Sequence, residues 1–177
     1  MIPLDIEENL LIGVVSGIVA SAFFTIILFL IKPKIKISDK ICCETYQGKD
    51  IYRIKIVNHT PFMLTNIRYK LLYCKMHGDG ITTIEEVVPR KSPVICIDKY
   101  NIFDKEAKYA IRISYDIDLG KYNIDEDSKF EFVFIADHSL SNTTTCVKKE
   151  YFSENIINGV FESGMSTKII RKVKDVT

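Results

Sequence analysis

The stretch Tyr109-Ala-Ile-Arg-Ile-Ser-Tyr-Asp-Ile117 decides the fold, because its large apolar side chains alternate with Arg112, Ser114 and Asp116. Successive side chains of a β-strand point to opposite faces. The pattern therefore predicts a strand with one apolar face and one polar face.

The stretch Phe130-Glu-Phe-Val-Phe-Ile-Ala136 has the same period, but Val133 and Ile135 make its second face largely apolar as well. This predicts a central strand that is covered on both sides. Clear alternation also marks residues 52–56 and 67–73, and weaker strands are predicted at residues 35–43, 81–88, 94–97, 144–151 and 167–173.

Eight or nine short strands separated by Gly, Pro, Asn and Asp turns, with no long amphipathic helix between them, are typical of a mainly β domain. We predict an immunoglobulin-like β-sandwich, with a small β-barrel as the alternative. A short helical turn is predicted to begin at Ser153 and to end before Gly159.

A different pattern occupies residues 10–31, which contain no charged side chain. As a helix this run is roughly 33 Å long, enough to cross a hydrocarbon core of roughly 30 Å. The acidic start and the absence of a small-residue cleavage site favour a retained transmembrane helix over a signal peptide.

The orientation follows from Lys32, Lys34 and Lys36, since no Lys or Arg precedes the apolar run. The prediction is a bacterial inner-membrane protein with a short extracytoplasmic segment (residues 1–9), a transmembrane helix (10–31), a basic juxtamembrane linker (32–36) and a cytosolic β-sandwich (37–177). The alternative is that a domain of this length is translocated regardless of the flanking charge.

The membrane run contains a small-residue motif, Gly13-Val-Val-Ser-Gly17, extended on the same helical face by Ala20 and Ser21. Small residues four apart allow two helix backbones to approach closely in lipid. We therefore expect a homo-oligomer formed through this face, although such motifs also arise by chance in apolar segments.

The chain is poor in catalytic groups, and no cofactor or metal site is predicted. Its three histidines form no metal-binding motif, and a Cys146–His138 pair formed only on folding is the remaining catalytic alternative. The acidic run from Asp116 to Asp127 fits a calcium loop badly and favours a solvated loop. We expect a protein that is not an enzyme.

Basic residues suggest contacts with phosphates or lipid headgroups at Lys32, Lys34, Lys36, Arg90 and Lys91, although ordinary solvated faces have the same composition. The chain after residue 31 holds 24 basic and 20 acidic residues. A surplus of four charges does not indicate a nucleic-acid polymer, but it suits a domain near an anionic membrane. Nucleotide hydrolysis is not expected, since no Gly-rich phosphate loop is present.

The stretch from Ile54 to Ile67 resembles the early hairpin of immunoglobulin-like domains. Residues 136–141, 151–159 and 161–164 resemble the end of uncharacterised small bacterial single-pass membrane proteins with a cytosolic immunoglobulin-like domain, and there is a fainter similarity to the cytoplasmic domain of inward-rectifier channels. The layout is similar to that of membrane-anchored antiviral effectors that sense cyclic nucleotides. No ligand-binding residue carries over from these resemblances.

Two functions fit these observations. In the first, the cytosolic sandwich binds a ligand, such as a nucleotide messenger, or a protein partner, and the helix self-associates as part of an antiviral defence effector. In the second, the protein is a passive membrane-tethered interaction module or accessory subunit.

Overall fold

The computed structural model describes residues 4–30, 32–78, 80, 82–91, 93–119, 121–122, 125 and 127–170. Several sequence predictions fall outside these residues. They are the first three residues of the N-terminal segment, the end of the transmembrane run at Ile31, the start of the predicted strand at Ile81, residues 120, 123, 124 and 126 of the acidic run, and the part of the last predicted strand after residue 170.

The chain opens with helix α1 (Leu4–Leu30), which begins six residues before the predicted span. Residues Asn9–Leu28 are long and apolar enough to cross a membrane, and none of this window packs against the rest of the protein. Four residues, 31–34, lie between this helix and the first strand, and the last three of them, Lys32 to Lys34, are described.

The rest of the described chain is mainly β. Its strands are β1 (Ile35–Ile37), β2 (Ile41–Tyr46), β3 (Lys49–Asn58), β4 (Leu64–Met76), β5 (Thr82–Val87), β6 (Ala110–Tyr115), β7 (Ser128–His138), β8 (Thr144–Tyr151), β9 (Ile156–Asn158), β10 (Val160–Phe161) and β11 (Ile169–Ile170).

Sheet one is organised around β3. Strands β1 and β2 pair with successive halves of one edge of β3, and β6 pairs antiparallel with the other edge. Strand β9 adds to the free edge of β2 in parallel. The interruption between β1 and β2 is occupied by Ser38, whose side chain accepts a hydrogen bond from the Lys55 backbone N–H.

Sheet two has the order β5-β4-β7-β8 and is antiparallel throughout. The prediction that β7 is central is confirmed, since β4 and β8 flank it. Its second face is only half covered, because Val133 and Ile135 are half-buried and line a groove with Pro89 and Pro93.

The two sheets pack face to face over one hydrophobic core. Sheet one contributes Ile41, Cys43, Tyr52, Ile54, Ile56, Ile113 and Tyr115, and sheet two contributes Leu71, Tyr73, Phe130, Phe132, Phe134, Ala136 and Tyr151. These are the apolar faces of the alternating strands. The predicted β-sandwich is therefore confirmed, and the barrel alternative is not supported because the described residues form no strand ladder between the sheets.

One local prediction was wrong, and a second was right in its start but not in its extent. Residues 94–97 form no strand, and only Ile97 makes a single bridge, to Leu64. The helical turn beginning at Ser153 ends already at Asn155, because the next three residues join sheet one as β9.

A short segment, which we call the strap (residues 159–170), crosses the outer face of sheet one and contains the β10–β11 pair. It begins at Gly159, where the backbone passes close to β11. A Cβ at this position would lie 2.5 Å from the Ile170 carbonyl oxygen and 2.6 Å from Ile169 Cγ2.

We expect Gly159→Ala to displace the strap and to lower the free energy of unfolding by about 1–3 kcal/mol, the usual cost of overpacking a tight site. Chemical denaturation of the full chain in detergent measures this loss. Gly78→Ala is the control for glycine removal in a turn, since open space surrounds its Cβ position and its φ lies outside the left-handed region. An equal loss in both variants would mean that the close approach is not the cause.

Candidate anion-binding site

Basic side chains line the outer face of sheet one where β3 meets β6. Arg53 and Lys55 alternate with core residues along β3, and Arg112 lies directly opposite Lys55 in the antiparallel register. Two like charges directly opposite each other on a sheet are destabilising. This arrangement indicates a site for an anion, because a bound anion would relieve the repulsion.

Lys55 is the most unusual of these residues, since its side chain is 1% exposed. Its ammonium donates hydrogen bonds to the backbone carbonyls of Glu162 (2.6 Å) and Ser166 (2.7 Å) in the strap. An ammonium has three donors, and the described residues account for two of them. The neighbouring Arg112 Nη2 lies 3.4 Å from the Phe161 carbonyl oxygen, which also belongs to the strap.

The loop after β5 brings Arg90 and Lys91 to the same face. Pro89 bridges Tyr115, and the Arg90 backbone N–H donates to the Ser114 carbonyl at 2.8 Å. Arg90 also lies 3.6 Å from the Asp116 carboxylate. The two residues predicted as anion contacts are thus placed beside β6.

A cavity of about 730 Å³ lies between these elements. The loop before β6 adds Lys105, Glu106 and Ala107 to its wall, and the strap adds Ser163 and Gly164. We call it the basic cavity. Among the described residues, the charged side chains of its lining are Arg53, Lys55, Arg90, Lys91, Lys105, Arg112 and Glu106.

Some of this positive charge is already compensated. Arg53 pairs with Glu44, and Glu106 pairs with Lys108 at 2.9 Å. Among the described residues, no carboxylate forms an ion pair with Lys91, Lys105 or Arg112. These three cations are therefore available to a ligand, and guanidinium and ammonium groups are the usual partners of phosphate in proteins.

Burial, and after it the charge of Arg112, lower the pKa of Lys55 to about 8, although Glu162 acts in the opposite direction. Lys55 therefore changes charge within an accessible pH range. In the free protein the unfolded state binds more protons than the folded state between pH 8 and the ordinary lysine value of 10.5. The contribution of Lys55 to the free energy of unfolding accordingly rises with pH in that window.

Ligand binding should have the opposite pH dependence, because an anion favours the charged form of Lys55. We expect affinity for a phosphate-bearing ligand to fall by up to about tenfold per pH unit above pH 8. Equilibrium titrations of the full chain at several pH values measure this slope. In Lys55→Gln the slope above pH 8 should disappear, and a slope that persists would assign the titration to another group.

The other predicted site residues lie elsewhere. Lys32 and Lys34 are exposed between helix α1 and β1, and Lys36 is exposed within β1. None of the three lines the basic cavity. Gly13, Gly17, Ala20 and Ser21 lie on the exposed helix, where the Ser21 hydroxyl donates to the Gly17 carbonyl at 2.8 Å. This hydroxyl is satisfied within its own helix.

The Cys146–His138 alternative is contradicted by the register. Cys146 is exposed opposite Ile135, whereas His138 is buried beside Phe62. Within the described residues, no three His, Cys, Asp or Glu side chains are grouped so that they could hold a metal ion.

No protein-family model matches the chain, and no curated protein is significantly similar to it.

Sequence reasoning found Arg90 and Lys91 but missed Arg53, Lys55 and Arg112. The signal was present in part, because these residues occupy the polar positions of two alternating strands. What the sequence did not reveal was that β3 and β6, more than fifty residues apart, are neighbours that place Lys55 opposite Arg112.

Proposed function

We propose that this protein is a membrane-anchored receptor whose β-sandwich binds a phosphate-bearing small ligand, such as a nucleotide messenger, in the basic cavity. The observation that carries the proposal is the opposed pair Lys55 and Arg112 at a cavity with four further basic residues, which come from β3 and from two loops. Such convergence of cations costs stability in the free protein, and such costs are typical of binding sites.

The size and chemistry of the cavity favour a nucleotide over a single phosphate. A volume of about 730 Å³ lies within the range of small-molecule sites, about 300–1,000 Å³. Tyr46, at one end of the cavity and 55% exposed, offers an aromatic face for a base. Base stacking on aromatic side chains is a common feature of nucleotide recognition.

In this proposal the helix holds the receptor in the bacterial inner membrane, with residues 1–9 outside and the sandwich in the cytoplasm. The support is the positive charge of Lys32, Lys34 and Lys36 after the apolar run. The resemblance in layout to antiviral effectors extends the proposal to a defence role, in which ligand binding triggers assembled helices to perturb the membrane.

Calorimetric titration of the full chain in detergent tests ligand binding. The panel is a cyclic dinucleotide, a mononucleotide, inorganic phosphate and an uncharged nucleoside. We expect phosphorylated nucleotides to bind, with affinity that falls as salt is raised, since charge pairs are screened. Equal binding of the uncharged nucleoside, or no binding of any nucleotide, would contradict the proposal.

Self-association is tested by replacing Gly13 and Gly17 with Leu. A Cβ at either glycine has open space around it within one chain, so the substitution spares the isolated helix but blocks close approach of a second one. We expect roughly 5- to 30-fold weaker association, from the 1–2 kcal/mol typical of such contacts. Energy transfer between labelled chains in vesicles measures this change.

The matched control is Val15→Leu with Val19→Leu, two positions on the opposite side of the helix. Association should be retained in that control. If the glycine variant also associates normally, the small-residue face is not the interface.

A second function, a tether for a protein partner, is favoured by the groove on the outer face of sheet two. Pro89, Pro93, Val133 and Ile135 give this groove of about 480 Å³ an apolar lining. Under this alternative, Val133→Glu should abolish partner capture, whereas substitutions in the basic cavity should have no effect on it.

A further inference from the structure

The sandwich carries two large exposed apolar side chains on one loop. Ile102 is 73% exposed and Phe103 is 87% exposed, and both lie at the tip of what we call the membrane-proximal loop (residues 100–108). Single exposed apolar residues are ordinary, but an adjacent aliphatic and aromatic pair at a loop tip is typical of an interaction surface.

Both ends of this loop are attached beside the exit of the transmembrane helix. The Tyr100 backbone N–H donates to the Thr60 carbonyl, and the Asn58 backbone N–H donates to the Tyr109 carbonyl, each at 2.9 Å. Between these two anchor points, the His59 backbone N–H donates to the Lys34 carbonyl at 2.8 Å.

The distance from the helix is limited by the chain itself. Lys34 follows Leu30, the last described residue of helix α1, by four residues, which span at most about 14 Å when fully extended. The base of the loop therefore lies close to the membrane surface if the helix spans the bilayer.

The loop tip is held in a defined conformation. The Asp104 carboxylate accepts hydrogen bonds from the backbone N–H groups of Glu106 (3.0 Å) and Lys108 (2.8 Å), and the Asn101 side chain accepts one from the Phe103 N–H at 3.0 Å. A preorganised tip loses little conformational entropy when it is buried.

The surroundings of the loop match an anionic bilayer. Exposed lysines lie on both chain segments nearby. The segment that follows the helix carries Lys32, Lys34 and Lys36, and the segment that leads into the loop carries Lys99. Exposed apolar side chains also occur on two adjacent turns, at Met63 and Leu140. A hydrogen bond from the Ser139 backbone N–H to the Met63 carbonyl joins these two turns. Apolar side chains flanked by lysines are the usual composition of interfacial membrane anchors.

We propose that the membrane-proximal loop inserts Ile102 and Phe103 into the headgroup region of the bilayer and so fixes the sandwich against the membrane. This inference rests on the anchor part of the proposed function and not on ligand binding. Lys105 of the same loop lines the basic cavity, so the docked loop would connect the ligand site with the membrane surface.

The absence of Trp from the chain provides a direct test. Phe103→Trp introduces a single tryptophan, which can be excited selectively over the nine tyrosines. The full-length variant is then reconstituted into vesicles of phosphatidylcholine and phosphatidylglycerol with or without brominated acyl chains. We expect a blue-shifted emission that is quenched by the brominated lipid. Ile102→Trp should give the same blue-shifted and quenched emission. This second variant keeps the test valid if Phe103→Trp folds poorly.

The matched control is Ile84→Trp, an exposed position on β5 that pairs with Cys74 towards the opposite end of the sandwich. Its emission should stay solvent-like and unquenched. Solvent-like emission from Phe103→Trp and Ile102→Trp would overturn the proposal. So would equal quenching at Ile84→Trp, or a blue shift without quenching, which indicates burial against a protein such as a second copy.

The result is separable from the receptor proposal, because nucleotide titration of the same vesicles reports ligand binding independently. Quenched loop variants that bind no nucleotide would leave the docking proposal standing alone. Unquenched variants that bind nucleotide would overturn docking and retain the receptor.

Discussion

Arg112→Glu should lower the affinity for a phosphate-bearing nucleotide by about 100-fold or more. A charge-assisted hydrogen bond contributes about 1.5–3 kcal/mol, and each 1.4 kcal/mol is a factor of ten, so removing the guanidinium alone costs roughly 10- to 100-fold. Reversing the charge adds repulsion between the ligand and a carboxylate at the same position, which stands beside Lys55 in the register.

The fold should tolerate this substitution, because Arg112 is exposed at the cavity and has no carboxylate partner among the described residues. The new carboxylate would instead lie opposite the Lys55 ammonium. Calorimetric titration measures the affinity, and thermal unfolding of the same sample checks stability.

Arg68→Glu is the matched control, since Arg68 is an exposed arginine on the outer face of sheet two, opposite Ile135. It changes the net charge of the protein by the same amount at a distance from the basic cavity. If both variants bind equally weakly, the effect is one of overall charge, and the assignment of the cavity is wrong.

Phe132→Ala should have the largest effect on stability, a loss of about 3–5 kcal/mol in the free energy of unfolding. Phe132 has no exposed surface, lies opposite Leu71 in the register and is within ring contact of Tyr69 and Phe134. Truncation at this point leaves a cavity between the two sheets.

Val133→Ala is the control. Val133 follows Phe132 along β7, but its side chain points to the outer face and is only half-buried. Its expected cost is about 1 kcal/mol, the average for point substitutions. Denaturant unfolding of the full chain, followed by far-ultraviolet circular dichroism, measures both values. Equal losses would mean that the two faces of β7 are not core and surface as described.

The strands that the sequence predicted best are those with strict alternation over a long run. Even the weaker strand predicted at residues 144–151 is present, and it forms β8 with the same bounds. The core faces of β6 and β7 were also predicted correctly, because a period of two follows directly from strand geometry. These features depend only on residues that are neighbours in sequence.

The errors arose where structure depends on distant partners. Residues 94–97 are apolar enough for a strand, yet Ile95 is 81% exposed and the segment makes only the single bridge from Ile97 to Leu64 of β4. Conversely, Ile156–Asn158 is too short to predict and becomes a strand only by pairing with β2, more than a hundred residues earlier. Local propensity does not contain such pairings.

The candidate site was predictable to a smaller extent than the fold. Arg90 and Lys91 were suggested by their adjacency alone, whereas Lys55 looked like an ordinary outward-facing lysine. Its burial results from the strap, whose carbonyls at Glu162 and Ser166 receive its hydrogen bonds. Contacts separated by more than a hundred residues leave no periodic signal in the sequence.

Lysine footprinting of the full chain tests the central claim most directly. The chain is acetylated with and without a saturating phosphorylated nucleotide, and the modified lysines are quantified by mass spectrometry. Lys91 and Lys105 line the basic cavity, whereas Lys70 and Lys148 are exposed on the outer face of sheet two. We expect the nucleotide to protect Lys91 and Lys105 and to leave Lys70 and Lys148 reactive; unchanged reactivity at Lys91 and Lys105 with bound nucleotide would contradict the account.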